Sequence, residues 1–417
     1  MTYQQATTRP AIARKIGRRE LVIFIAAMMA TNALAIDMML PALGIIGDEL
    51  NVSNDNDRQL VVFAFVFGFG IAQIFFGPLV DRFGRRRVLL GAMTGYAIGC
   101  MMSIVADSFS LLLAARLFQG IATAGARVAT TAIVRDLCQG RDMAKVMSLA
   151  ITVFMIAPII APLLGQIVLM FATWRFIFGA LLLYGLCVAV WAYIRIPETL
   201  PSSEAKSILP HQVFSAYYEF LTTRQSIGNT LVSALAFAGL FGYLGASEQV
   251  FLEVFEIGDM FALAFGAVST ALAMATFVNS KLVTRYGMRK LMHAAVILYA
   301  IASILHLVFT LMIGPSLVLF LTFTSINFFA IGLIGPNCTA LAMEPMGHIA
   351  GSASAANGFV GTTMGAVVGG LVARSFNGTP TPVIIGYTIL GLMALVAVLW
   401  TEKGQLFQAQ NDAEQNA

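Results

Sequence analysis

Charged residues are scarce in this chain, 11% of 417, against about 25% in a soluble globular protein. So little polar surface cannot clothe one water-soluble globule or two, so the solvent for the exterior is lipid. Cysteine is sparse as well. Cys100, Cys138, Cys187 and Cys338 are scattered without a CxxC pair, and the four histidines lack ligand spacing, so neither a disulfide framework nor a metal site is expected. No G-x-x-x-x-G-K-[ST] loop occurs and no stretch is long enough for a soluble nucleotidase domain, which leaves out ATP as the direct source of energy. A catalytic constellation is missing too, and the chain is not expected to be an enzyme.

What is present is apolar sequence: 59% of residues are hydrophobic and mean hydropathy is +0.84. Stretches of spanning length run at 21–43, 59–80, 88–106, 111–133, 147–171 and 176–196, then at 226–247, 260–280, 291–312, 315–336, 350–373 and 382–400. Each is close to the ~20 residues that cross hydrocarbon. An all-α membrane protein of twelve transmembrane helices is therefore predicted, in two six-helix bundles.

Lys and Arg favour the cytoplasmic side. Twenty fall in the amino-terminal tail (Arg9, Arg14, Lys15, Arg18, Arg19), in the loops after spans 2, 4, 6 and 8, and at Lys403. The opposite side has only Arg58, Arg175 and Arg374, and the segment after span 7 carries Glu248, Glu253, Glu256 and Asp259. Both termini are predicted to be cytoplasmic. The first span is too long for a signal peptide and holds Asp37. This topology accounts for the net charge of +4, so no nucleic-acid partner is expected.

The halves are repeats. GPLVDRFGRRR (Gly77 to Arg87) returns 203 residues later as SKLVTRYGMRK (Ser280 to Lys290), and LLGQIV in span 5 returns 204 residues later as VVGGLV in span 11. The expected division is a first bundle over 1–200, a cytoplasmic linker over 201–225, a second bundle over 226–405 and a tail over 406–417. Parallel six-helix repeats are a transporter architecture.

A carboxylate within a span is costly to keep ionised, so Asp37 is a functional candidate by default. It lies about 9 Å from the outer end of span 1, and Arg116 is at similar depth in span 4. Asp37 is expected to alternate between a charged state, engaged with Arg116 or a substrate, and a neutral protonated state. Alternatively, the pair forms a fixed salt bridge that orders the outer half of the bundle. Arg127 lies about 16 Å further in on nearly the same face. It either faces a cavity or snorkels toward cytoplasmic headgroups. Pro158, Pro162 and Gly165 in span 5 suit a hinge or a leak barrier, and ordinary packing explains them equally. Gly68 and Gly70 in span 2 read as packing residues.

GPLVDRFGRRR resembles the signature loop of the major facilitator superfamily. ARLFQG (Ala115 to Gly120) with GARVATTAIVRDL (Gly125 to Leu137) is similar to its span 4 pattern, and APIIAPLLG (Ala157 to Gly165) resembles its antiporter motif, with Ala157 where glycine is usual. DMMLPAL, PETL and AGSASAANGF resemble the Bcr/CflA branch of drug and proton antiporters. The resemblance covers almost the whole chain. It implies the major facilitator fold, residence in a bacterial inner membrane, and efflux of small, mostly apolar or aromatic compounds. Such efflux needs no cofactor and is driven by a proton gradient. A proton symporter or facilitator for a small metabolite is the alternative, and a monomer is the default.

The resemblance also implies that the inner loop acts as a conformational latch, formed by Gly77, Asp81, Arg82, Gly84, Arg85 and Arg86 with Asp136. The repeat replaces Asp81 by Thr284, so any latch is asymmetric. By analogy with the superfamily, spans 1, 4, 7 and 10 line the cavity. That nominates Asn32, Asp37, Thr123, Arg127, Phe237, Phe241, Asn327 and Phe328 as substrate contacts, an aromatic wall with few polar groups.

Overall fold

The computed structural model describes residues 17–138, 146, 149, 150, 156–200 and 210–407. Helix is the only regular structure among them, as hydrocarbon demands of a backbone that must satisfy its own hydrogen bonds. In chain order the helices are α1 (Arg18–Asp37), the short α2 (Leu43–Glu49), α3 (Leu60–Phe83), α4 (Arg85–Ile104), α5 (Phe109–Leu137), α6 (Ala157–Phe171) and α7 (Arg175–Arg195). They continue with α8 (Pro210–Thr222), α9 (Arg224–Gln249), α10 (Phe261–Tyr286), α11 (Met288–Ile313), α12 (Leu317–Met343), α13 (Ala350–Arg374) and α14 (Thr381–Thr401).

All but α2 and α8 correspond to the twelve expected spans. Among the described residues ten stretches are long and apolar enough to cross a bilayer; the one over Leu317–Arg374 comprises α12 and α13, and α6 is a shorter apolar helix. Residues 147, 148 and 151–155 of the fifth expected span lie outside the described residues, as do Arg9, Arg14, Lys15, Arg141, Lys145 and Lys206 of the basic segments. The linker is not wholly irregular. It carries α8, whose Tyr217 and Phe220 pack with Met346, Ala353 and Ala356 while Phe214, Tyr218 and Leu221 are exposed.

The chain forms two compact units. One contains α1 and residues 64–200, the other residues 40–63 and 214–407. The loop between α1 and α3, expected in the first half by sequence order, therefore packs with the second.

In the first unit, Phe24, Ile25 and Met28 of α1 meet Leu89 and Met93 of α4, Ala129 and Ile133 of α5, and Val188 and Ala192 of α7. The crossing of α3 and α5 is close because of glycine: a Cβ on Gly120 would stand 2.0 Å from the Phe65 carbonyl oxygen, and one on Gly68 2.3 Å from that of Leu117. Packing, as expected, is what Gly68 serves. The start of α5 is fixed by Ser108, whose hydroxyl accepts from the Leu111 amide at 3.4 Å, and this sets the height of Arg116 two turns on. In the second unit, Tyr243, Phe251, Phe265, Phe320 and Phe328 form an aromatic core with ring centroids 4.9–6.2 Å apart. Large apolar side chains such as Leu183, Ile194, Leu311, Met312 and Val318 are exposed, as a lipid-facing surface requires.

Candidate functional site

Asp37 ends α1 and is 4% exposed, and Arg116 on α5 is fully buried. Arg116 Nη2 donates to the Ala35 carbonyl at 2.8 Å and Nη1 to Gln119 Oε1 at 2.6 Å. Its guanidinium lies 4.5 Å from the centroid of Phe65 and 5.8 Å from that of Phe178. Gln119 in turn donates to Cys100 Sγ at 3.0 Å. Among the described residues Asp37 has no ion pair. The buried cation is thus held by a carbonyl dipole, an amide and two ring faces, in the layer of the carboxylate but not neutralised by it. The hydrogen bonds of Arg116 to Ala35 and Gln119 do not depend on Asp37.

Thr123 is buried, its hydroxyl donating to the Gln119 carbonyl at 2.8 Å. Arg127 is exposed, 5.7 Å from the Phe69 ring centroid. Asn32 is half-buried and its Oδ1 has no hydrogen-bond partner among the described residues, which leaves an acceptor for another group.

In the second unit Phe237 and Phe241 are half-buried; a Cβ on Gly365 of α13 would stand 3.2 Å from the Phe241 ring, and one on Gly335 of α12 3.3 Å from the Phe237 ring. Asn327 and Phe328 depart from the expected cavity wall. Asn327 is fully buried and accepts from Ser303 Oγ of α11 at 3.3 Å, and Phe328 is edge-on to Tyr243 at 4.9 Å. Helical phase turns both inward to α9 and α11, away from any solvent-exposed surface.

The loop between α3 and α4 turns at Gly84, with φ +94°, where a Cβ would stand 2.5 Å from Glu198 Oε2. Glu198 Oε1 accepts from the amides of Arg85 (2.9 Å), Thr199 (3.0 Å) and Leu200 (3.1 Å). Buried Arg85 pairs with Asp81 at 3.2 Å and with Asp136 at 2.9 Å, and Asp136 accepts from the Thr199 hydroxyl at 2.7 Å. Arg86 donates to the Tyr193 carbonyl at 2.6 Å, and exposed Arg82 lies 5.3 Å from the Phe83 ring centroid. Gly77 falls within α3, one residue before Pro78. Asp81, Arg85 and Asp136 are thus brought together. Glu198 and Thr199, the hub of the turn, are legible in the sequence only as part of the PETL string. In the repeat, Gly287 has φ +79°, and a Cβ there would meet no atom within 4 Å.

In α6, Pro158 occupies the first turn, where its missing N–H costs little, and Pro162 and Gly165 are buried. The segment preceding Ile156 lies outside the described residues, so the bend expected of these prolines has no described counterpart on that side.

A further polar cluster sits in the second unit. Arg58 is buried and pairs with Glu248 at 3.1 Å and with Glu253. Gln59 donates to Gln249, whose own amide donates to Asn56 Oδ1 at 2.9 Å. Asn56 donates to the carbonyls of Arg374 (2.9 Å) and Phe376 (2.8 Å), and Arg374 pairs with Asp57 at 2.8 Å. This fastens residues 54–59 to α9 and to the end of α13. Sequence signals it only through Arg58, one of three bases on the outer side, and the acidic run that begins at Glu248. Among the described residues no group of three or more His, Cys, Asp or Glu is placed to hold a metal.

Comparison with known proteins agrees with this architecture. The chain is 29% identical over 399 residues to an MFS-type transporter, YdgK, of Bacillus subtilis, covering 93% of this chain and 98% of that one. It is 28% identical over 369 residues to a bicyclomycin resistance protein homolog of Haemophilus influenzae (87% and 90% covered). It is 27% identical over 295 residues to the multidrug resistance protein MdtL of Escherichia coli (70% and 72%). The fold matches the human organic anion transporter MFSD10 with a TM-score of 0.63 at 16% identity, covering 92% of this chain and all of that one. The family description Major Facilitator Superfamily matches residues 23–370, and with its helices of membrane-spanning length the chain is a multi-pass member of that superfamily.

Proposed function

We propose that the protein is a secondary exporter that exchanges protons for small, mostly apolar or aromatic organic compounds across a bacterial inner membrane, with both termini cytoplasmic. The observation that carries this reading is Asp37: a buried carboxylate in a membrane helix, without an ion pair among the described residues, in a helix that buried Arg116 braces through the Ala35 carbonyl. Such a group is free to cycle between protonation states, and its charged form is a point of attraction for a substrate. The names of the bicyclomycin and multidrug resistance relatives support a drug-like substrate class.

In this reading Asn32, Thr123, Arg127, Phe237 and Phe241 contact substrate and Arg116 holds the proton site in place. The Asp81, Arg85, Asp136 and Glu198 cluster sets the conformation of the inner loop, and Pro158, Pro162 and Gly165 allow α6 to flex. The protein works as a monomer without cofactor. The test is transport in inverted vesicles with an acid interior: substrate addition is expected to discharge the pH gradient and accumulate substrate inside. A symporter moves both in the same direction, and that result refutes exchange.

A further inference from the structure

Of the four arginines that follow Asp81, three are engaged within the first unit: Arg85 with two carboxylates, Arg86 with Tyr193, and Arg82 over Phe83. Arg87 is exposed and has no ion pair or hydrogen bond among the described residues. It is one of the residues lining a groove of about 450 Å³ walled by α3, α4 and α5, and lies at the cytoplasm-proximal start of α4 in the expected topology. Along α4 the groove floor is Arg87, Gly91 and Gly95, spaced four apart and so on one face, with Phe76 and Phe83 of α3 and Ile121 of α5 as walls. From Arg87 to Gly95 the groove runs about 12 Å along the helix axis. Gly91 leaves its floor open, since a Cβ there would meet no atom within 4 Å.

The ligand is dictated by this layout. An apolar channel aligned with a membrane-spanning helix fits an acyl chain, and one unpaired guanidinium at its interfacial end fits the phosphate above that chain. We propose that the groove is a binding site for an anionic phospholipid, with the chain along Gly91 and Gly95 and the phosphate on Arg87. The leaflet it comes from, the cytoplasmic one, rests on the orientation proposed above; the site itself does not.

Purified full-length protein, stripped of lipid in detergent and offered phosphatidylglycerol or phosphatidylcholine in mixed micelles, tests the site by intact-complex mass spectrometry. The wild type is expected to hold phosphatidylglycerol about fivefold more tightly than phosphatidylcholine. Arg87→Ala is expected to lose that preference and Arg87→Lys to keep most of it. Gly91→Leu, which fills the floor, is expected to lose both lipids while its unfolding temperature in lipid-free detergent stays near that of the wild type. Should Gly91→Leu fail to fold, Ile121→Trp fills the groove from the α5 side and carries the same expectation. Unchanged lipid retention in the filled variant overturns the proposal, as does an undiminished headgroup preference in Arg87→Ala. Gly91-dependent capture of a hydrophobic transport substrate in place of lipid overturns it too. None of these outcomes depends on proton exchange, so the transport reading stands or falls separately.

Discussion

The guanidinium of Arg116 donates to the carbonyl of Ala35 at 2.8 Å, two residues before Asp37 in the same helix. The bond ties α5 to the last turn of α1 and anchors a buried cation there without drawing on the Asp37 carboxylate. Removing it exposes what it satisfies. Arg116→Ala leaves a buried carbonyl and the Gln119 amide without their donor and two ring faces without their cation. A loss of about 2–4 kcal/mol follows from these terms, measurable as thermal or denaturant unfolding of the first bundle in detergent. Arg116→Lys recovers only part of it, because an ammonium lacks the fork that reaches carbonyl and amide together.

The two repeat turns respond unequally to the same substitution. Gly84→Ala combines a left-handed φ with a Cβ 2.5 Å from Glu198 Oε2, a cost of roughly 2–4 kcal/mol. Gly287→Ala meets no neighbour within 4 Å and bears only the backbone strain that both turns share, about 1–3 kcal/mol. Paired melting curves of the two variants check the difference.

Arg58 is the cation of the cluster that fastens residues 54–59 to α9. Arg58→Ala strands Glu248, which is 3% exposed, and is expected to cost about 3–5 kcal/mol. Glu248→Gln in the same chain removes the stranded charge and restores part of that loss. A double-mutant cycle on unfolding free energy measures the coupling, and additivity of the two single losses contradicts it.

Aromatic residues of the second unit divide by burial. Phe328→Ala empties a packed site beside Tyr243 and is expected to destabilise by about 3–5 kcal/mol. Phe237→Ala, at a half-buried ring, is expected to change which compounds are transported with a smaller effect on melting. Drug-protection profiles alongside unfolding temperatures separate the two.

These residues also mark how far the sequence reads. Hydropathy places the spans, because each must present an apolar length to hydrocarbon. The depth match of Asp37 and Arg116 follows from helical rise. What escapes is determined by contacts between distant parts of the chain: Arg58 meets residues about 190 positions away, and Glu198 closes a turn 113 residues before it. No local pattern encodes such pairs. Asn327 misleads for another reason. A polar side chain on an inner span suggests a cavity, yet its Oδ1 is taken by Ser303, and the helical phase that decides this is hidden in a span apolar on every side. The linker helix α8 escapes notice because its 13 residues are too short a stretch to register as a span and the sequence before it is polar.

The central claim is that Asp37 exchanges a proton for substrate. Asp37→Asn keeps size and shape and breaks no ion pair among the described residues, so the variant is expected to fold. The direct measurement is proton release from purified protein in weakly buffered detergent when a transported compound is added. The account predicts release by the wild type and none by Asp37→Asn, which also no longer transports against a pH gradient. Normal proton release and transport by Asp37→Asn contradict it.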